Sequence, residues 1–251
     1  PSSLYKSKTM NAYIVKAYRS AVGKANKGSF KNFRSDDLAV EVVKYLMEQT
    51  PEVDPQLVDD VIVGCANPEG EQGLQIGRQI ALRALGKSVP GMTVNRYCAS
   101  GLETISIAVG KIAAGMGHVF IAGGAESMSL VPMTGYKLAP SYQVAADNPN
   151  YLASMGLTAE AVAEKYGISR EQADKFALRS HTLAGKAIAE GKFQDEIVPV
   201  EVKEVFVKNN KRQENSFTMD TDEGVRPDTN LKVLGKLRPV FRQGGVVTAG
   251  N

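Results

Sequence analysis

Between residues 12 and 122, four short apolar runs (12–17, 58–63, 92–97 and 119–122) alternate with longer segments whose apolar residues recur at helical spacing. Strands separated by helices cannot pair through tight hairpins, so each connection must carry a helix across a face of the sheet. The pattern therefore predicts βαβ units: an α/β domain with a mostly parallel sheet flanked by helices. Ser35, followed by Asp36 and Asp37, reads as the N-cap of a first helix whose Leu38, Val42, Val43 and Leu46 form one stripe. A second helix is expected from about Gly73 to Leu85, closed by Gly86. A third opens at Ser100-Gly101-Leu102-Glu103, a capping-box spacing. Its Leu102, Ile105, Ile107, Val109 and Ile112 go nearly all round the cylinder, so it is expected to be a buried helix.

Beyond Pro132 the texture changes. A loop-rich stretch with Pro140, Pro149 and several tyrosines precedes a helix at 158–166, and Ser169-Arg170-Glu171-Gln172 is a second capping box opening a longer helix that ends at Gly191. Val198, Val200 and Val202 then alternate with Pro199, Glu201 and Lys203, and 216–221 reads as a partner strand, so a hairpin is expected. Residues 1–129 are thus read as the α/β domain and 130–245 as an inserted α+β subdomain, with 246–251 returning toward the first.

Several function classes are excluded by what is missing. A net charge of +3, with its basic residues dispersed, is too weak for a nucleic-acid footprint. No run approaches the ~18 apolar residues that span a bilayer, and the first residues lack a leader's apolar core, so no membrane partner and a cytoplasmic location are expected. The two cysteines, Cys65 and Cys98, read as free thiols of a reducing compartment. The two histidines, His118 and His181, stand far apart without an acidic or cysteine cluster, so no metal site is expected. Gly86-Lys87-Ser88 imitates the end of a phosphate-binding loop, but Ala81 occupies the place of its leading glycine, and the triplet reads as a helix C-cap. Gly123-Gly124 reads as a tight turn, and no G-x-S-x-G elbow appears.

Cys98 stands between an apolar strand and a helix start. Unpaired N–H groups and partial positive charge at a helix N-terminus favour a thiolate, and the same N–H groups can stabilise an oxyanion formed on a substrate held by that sulfur. That combination suits acyl transfer, against the alternative of a small apolar residue filling the strand end. Cys65 also follows an apolar run but has no helix start behind it, and reads as a packing residue.

Five motifs in order then resemble the thiolases: Asn95-Arg96-Tyr97-Cys98-Ala99-Ser100-Gly101, Gly123-Gly124-Ala125-Glu126-Ser127-Met128-Ser129, Met155-Gly156-Leu157-Thr158-Ala159-Glu160, Lys236-Leu237-Arg238-Pro239 and Val247-Thr248-Ala249-Gly250-Asn251. Asn67-Pro68-Glu69-Gly70-Glu71-Gln72-Gly73 makes the likeness closest to the degradative 3-ketoacyl-CoA thiolases. The resemblance implies the N-terminal half of a thiolase fold, with its buried helix, plus an inserted loop domain. It implies that Cys98 attacks the keto carbonyl of a 3-ketoacyl-CoA, with its own backbone N–H as an oxyanion donor. Met155 would wall the acyl pocket, and Ser154, Arg226, Val233, Leu234, Phe241 and Ala249 would receive coenzyme A, which is a substrate; no bound cofactor is implied. Arg226 suits an adenine, as a planar cation on a ring. Ser154 stands where some biosynthetic relatives have a histidine, which favours the degradative branch.

The family's second half supplies the histidine that activates the nucleophile, an asparagine that orients a water and a second cysteine that protonates the leaving group. None of them lies before Asn251, so the chain is expected to be a fragment that is inactive alone, with an exposed apolar helix face and sheet edge. Neither His118 nor His181 matches the missing base. The longer protein would be a homodimer or a dimer of dimers acting on acyl-CoA and CoA, in the cytoplasm or in an organellar matrix if eukaryotic. The alternatives are a non-catalytic CoA-binding or dimerising module, and a ketoacyl-synthase-like condensing enzyme, against which the run Met155 to Glu160 stands.

Overall fold

The computed structural model describes residues 11–251. Residues 1–10, part of the stretch scanned for a leader, lie outside the described residues. The described residues divide into two compact units, 11–137 with 196–223, and 138–195 with 224–251.

The first unit is built on three parallel strands in the order β3-β2-β4: β2 (Asp60–Gly64), β3 (Gly91–Val94) and β4 (Phe120–Gly124). Central β2 is buried at all five positions, as expected for a strand covered on both faces. Val61 pairs with Gly91 and Ile121, and Gly64 with Val94 and Gly124. On one face Val61 and Val63 pack with Val40 and Val43 of α1 (Ser35–Glu48) and with Ile76 and Ile80 of α2 (Ile76–Ala84). Each fully buried side chain there contributes about 1.5–3 kcal/mol relative to exposure. On the other face lies α3 (Ser100–Ala113), which carries the buried Thr104 and Ala108. Thr104 donates to the carbonyl of Gly123 at 3.3 Å.

The start of α1 differs from the sequence reading. Arg34 is the N-cap and Ser35 makes no capping bond; the end is fixed instead by the Asp36 carboxylate, held by Arg34 at 2.9 Å and Arg83 at 3.0 Å. The α1 stripe also serves two clusters. Val40 and Val43 face the sheet, while Leu38, Val42 and Tyr45 pack with Ala21, Phe30, Val198, Val200, Val202 and Met219. The last four come from β5 (Ile197–Val198) and the antiparallel hairpin of β6 (Val200–Lys208) and β7 (Lys211–Met219). Hence 196–223 group with the first unit, whereas the sequence placed them inside a single 130–245 insertion.

Residues 12–17, expected as a strand, have no regular structure and are mostly exposed; only β1 (Arg19–Ser20) pairs, in parallel, with β5. An extended run keeps its pairing only where a neighbour offers a free edge. The third helix also departs from expectation. Leu102 is 71% exposed and Ile105 and Val109 are open to solvent, because α3 touches the sheet along one line and nothing described covers its remaining apolar faces.

The second unit holds α4 (Tyr142–Asp147), α5 (Met155–Tyr166), α6 (Arg170–Ala189) and α7 (Leu231–Gly235). The capping box at Ser169 and Gln172 forms as read. Residues 246–251, drawn as returning to the α/β domain, are tied within this unit by two buried carboxylates. Glu160 accepts the N–H groups of Val246 (3.0 Å) and Val247 (2.9 Å), and Asp174 accepts the side-chain amide of Asn251 (2.6 Å). No helix among the described residues is long and apolar enough to cross a membrane.

Candidate active site

Beyond Val94 the chain leaves β3 and turns into α3 within five residues. Tyr97 makes that turn in the left-handed region, at φ 47°. For a residue with a Cβ this costs about 1–2 kcal/mol, so the surroundings must hold it. They do so with side chains on either side of the turn. Asn95 accepts the N–H of Tyr97 at 2.9 Å and donates to the carbonyl of Ala66 at 2.9 Å. Ser100 accepts the N–H of Arg96 at 2.9 Å and donates to the carbonyl of Tyr97 at 2.5 Å. Ser100 therefore belongs to the turn and is not a cap: the N-cap is Ala99, with no side-chain bond, and Glu103 forms an ion pair with Arg96 at 2.8 Å. The turn leaves Cys98 exposed, two residues before the first helical residue.

Cys65 has the opposite setting. It is 1% exposed, its N–H bonds the carbonyl of Val94 at 2.9 Å, and its sulfur lies 3.8 Å from the Glu126 carboxylate. Burial first, and then the Glu126 charge, push its thiol up to about 12. The same carboxylate joins two motifs far apart in sequence. Glu126 accepts the N–H of Ala66 at 2.6 Å and the side-chain amide of the fully buried Gln72 at 2.5 Å, and Gln72 in turn donates to the carbonyl of Asn67 and accepts from Ser127. The sequence places Asn95, Gln72 and Glu126 within motifs but marks no role for them. An asparagine two positions before a forced left-handed residue is a turn signal that could have marked Asn95.

Of the remaining predicted residues, Ser154 is the N-cap of α5, accepting the N–H of Leu157 at 3.3 Å, and exposed Met155 follows it. The Phe241 ring lies against Gly156, where a Cβ would stand 2.3 Å from it, so Met155 and Phe241 flank one helix start. Arg226 is exposed, and its N–H donates to Nδ1 of His181 at 3.1 Å. Val233 and Ala249 are exposed. Leu234 is not: at 3% exposure, packed beneath Gly250, it supports the exposed residues from below. His118 does not approach Cys98. It precedes β4 at the amino edge of the parallel sheet, whereas Cys98 lies past the carboxyl edge, so about 15 Å of strand separates them. Its N–H, with that of Val119, binds the Asp59 carboxylate and holds it below the usual range. Among the described residues no cluster of three or more His, Cys, Asp or Glu could hold a metal ion.

A strand-to-helix turn with an exposed cysteine, on a parallel sheet between helices, is an arrangement suited to acyl transfer through a thioester. The family model of the thiolase N-terminal domain matches residues 12–251, and the chain belongs to the thiolase family. It is 51% identical over 242 residues to a 3-ketoacyl-CoA thiolase of Bacillus subtilis, covering 96% of this chain and 62% of that one. A peroxisomal 3-ketoacyl-CoA thiolase 5 of Arabidopsis thaliana is 41% identical, covering 95% of this chain and 52% of that one. The crystal structure of the Bacillus anthracis acetyl-CoA acetyltransferase superposes with a TM-score of 0.77 at 36% identity, over 93% of this chain and 60% of that one. The chain thus spans less than two thirds of the length of these relatives.

Proposed function

We propose that the chain is the nucleophile-bearing part of a 3-ketoacyl-CoA thiolase. The Cys98 sulfur attacks the C3 carbonyl, the backbone N–H of Cys98 donates to the developing oxyanion, and the C2–C3 bond breaks. The acetyl-CoA carbanion leaves and takes up a proton, which balances the one the Cys98 thiol gives up on attack, while the acyl group stays on Cys98 as a thioester. A second CoA thiol then attacks that thioester, releasing acyl-CoA and restoring the thiol; the reverse sequence is a Claisen condensation. CoA lies along Ser154, Arg226, Val233, Phe241 and Ala249, with Arg226 stacked on the adenine and Met155 against the acyl chain. The reaction belongs to an aqueous compartment, the cytoplasm or an organellar matrix, and to a homodimer or dimer of dimers of the longer protein.

The observation that carries this reading is the contrast between the two thiols, Cys98 exposed at a helix start and Cys65 buried between the sheet and its helices. Iodoacetamide labelling mapped by mass spectrometry tests it: Cys98 is expected to be modified selectively at neutral pH. Slow, equal modification of both cysteines would instead favour a non-catalytic CoA-binding or dimerising module. That second reading draws on the histidines, since His118 lies at the far edge of the sheet and the Nδ1 atom of His181 accepts from Arg226. For the same reason the chain alone is expected to give no thiolysis of acetoacetyl-CoA, and robust turnover would refute that.

A further inference from the structure

We infer that Asn95 is a positioning residue for the nucleophile: it holds Tyr97 in the left-handed turn that brings Cys98 to the start of α3. The inference rests on the reading of Cys98 as the nucleophile and adds what keeps it in place. Without a left-handed residue at 97, the chain leaving β3 would continue extended, and Cys98 would not stand at the start of α3. Tyrosine does not choose that conformation unaided. The compensation is visible in one relay of polar contacts. The Asn95 side-chain oxygen takes the Tyr97 N–H at 2.9 Å, and its amide donates to Ala66 at 2.9 Å. Ala66 is fixed in turn through its own N–H, which binds Glu126 at 2.6 Å, and Glu126 is held by the buried Gln72 at 2.5 Å. Asn95 thus couples the turn to the end of β2, a strand paired on both sides and buried at all five positions. Ser100 braces the turn only to itself, through Arg96 and Tyr97. Asn95 touches no reacting atom; it acts through Tyr97.

The test is the rate of Cys98 alkylation by iodoacetamide in the full chain, with the sealed Cys65 as an internal report on the fold. Asn95→Ala is expected to slow Cys98 roughly five- to tenfold, the population change that follows from losing one or two hydrogen bonds. Glycine adopts a positive φ without help, so the double variant Asn95→Ala with Tyr97→Gly is expected to recover most of the rate. A residue needed only for general stability would show no such recovery. Tyr97→Val keeps Asn95 but makes the left-handed turn costly; it carries the comparison if Asn95→Ala opens the fold and exposes Cys65, and the same slowing is expected. Asn95→Ala or Tyr97→Val labelling at the parent rate, or a double variant with no recovery, overturns the inference. A parent chain whose Cys98 reacts no faster than free glutathione instead removes the nucleophile reading beneath it.

Discussion

Replacing Gly64 with alanine probes how closely the cysteine-bearing turn is seated on the sheet. A Cβ at this position would stand 2.5 Å from the carbonyl carbon of Ser100 and 2.7 Å from the amide nitrogen of Gly101. Such atoms need about 3.5 Å, so something must move by about 1 Å. The strand cannot yield easily. Gly64 is paired with Val94 on one side and Gly124 on the other, and its carbonyl accepts the N–H of Ala125 at 3.0 Å. The obstructing atoms are helix backbone, which no rotamer change can remove, so the first turn of α3 must lift from the sheet. Overpacking of this kind costs about 1–3 kcal/mol. At 2 kcal/mol the melting temperature of a chain this size falls by roughly 4–8 °C. Thermal denaturation followed by circular dichroism reads the stability, and labelling of Cys98 against Cys65 reads the turn. The expected result is a lower Tm with slower Cys98 labelling while Cys65 stays closed. An alanine variant with an unchanged Tm and parent labelling kinetics would refute the claim that the α3 backbone rests directly on β2.

The other expectations concern separate parts of the chain. Because the Cys65 thiol is pushed up to about 12, its labelling rate should climb through the alkaline range without levelling near pH 9, and denaturant should abolish its difference from Cys98. The carboxyl of Glu160 is held below its ordinary 4.5, first by the Val246 N–H, so its contribution is complete above about pH 4.5 and is lost as pH falls through the lower folded value. Hydrogen exchange at Val246 and Val247 should therefore lose protection in acid, and Glu160→Gln should remove the pH dependence. Gly156→Ala should displace the Phe241 ring, since a Cβ there would stand 2.3 Å from it, and weaken CoA binding in calorimetry more than it lowers Tm. Arg19→Ala breaks a two-pronged contact with Asp222 (2.7 and 2.9 Å) and one with Glu196 (2.7 Å); at this partly exposed site chemical denaturation should show a loss of about 1–2 kcal/mol.

What the sequence made legible follows from whether the determining contacts are local. The capping box at Ser169 involves residues three apart, and it forms. The β6–β7 hairpin is written in alternating valines, and it pairs over Val200 to Lys208. Ser35 and Ser100 read as caps by the same local rule, but neither acts as one: Ser35 makes no capping bond, and the Ser100 hydroxyl is held by Arg96 and Tyr97 in the turn just before it. Arg83, distant in sequence, fixes the start of α1, and the Tyr97 turn engages the Ser100 hydroxyl. The all-round apolar surface of α3 reads as burial, yet Leu102, Ile105 and Val109 are exposed. Periodicity reports what a helix needs covered and not what covers it, and the relatives matched here are longer chains. Gln72 and Glu126 were out of reach for another reason: they meet across 54 positions, and one sequence holds no record of such a pair.

The two cysteines carry the same lesson into chemistry. Both follow an apolar strand of one parallel sheet, and strand character alone makes them equivalent. Their difference begins with strand order. β2 lies between β3 and β4, so the chain leaving it stays paired: Cys65 binds Val94, and Ala66 binds Glu126. Continued pairing keeps Cys65 under the helices, where desolvation and a neighbouring carboxylate both oppose the thiolate. Among the described residues β3 has a neighbour on one side only within this sheet, so the chain leaving it is free to turn once a side chain holds the turn. Asn95 supplies that hold, and the helix start at Ser100 supplies a reason for the turn to end there. The exposed thiol past a strand end is reached here from a sheet edge and through a turn held by a polar residue, and of the two cysteines only Cys98 has both.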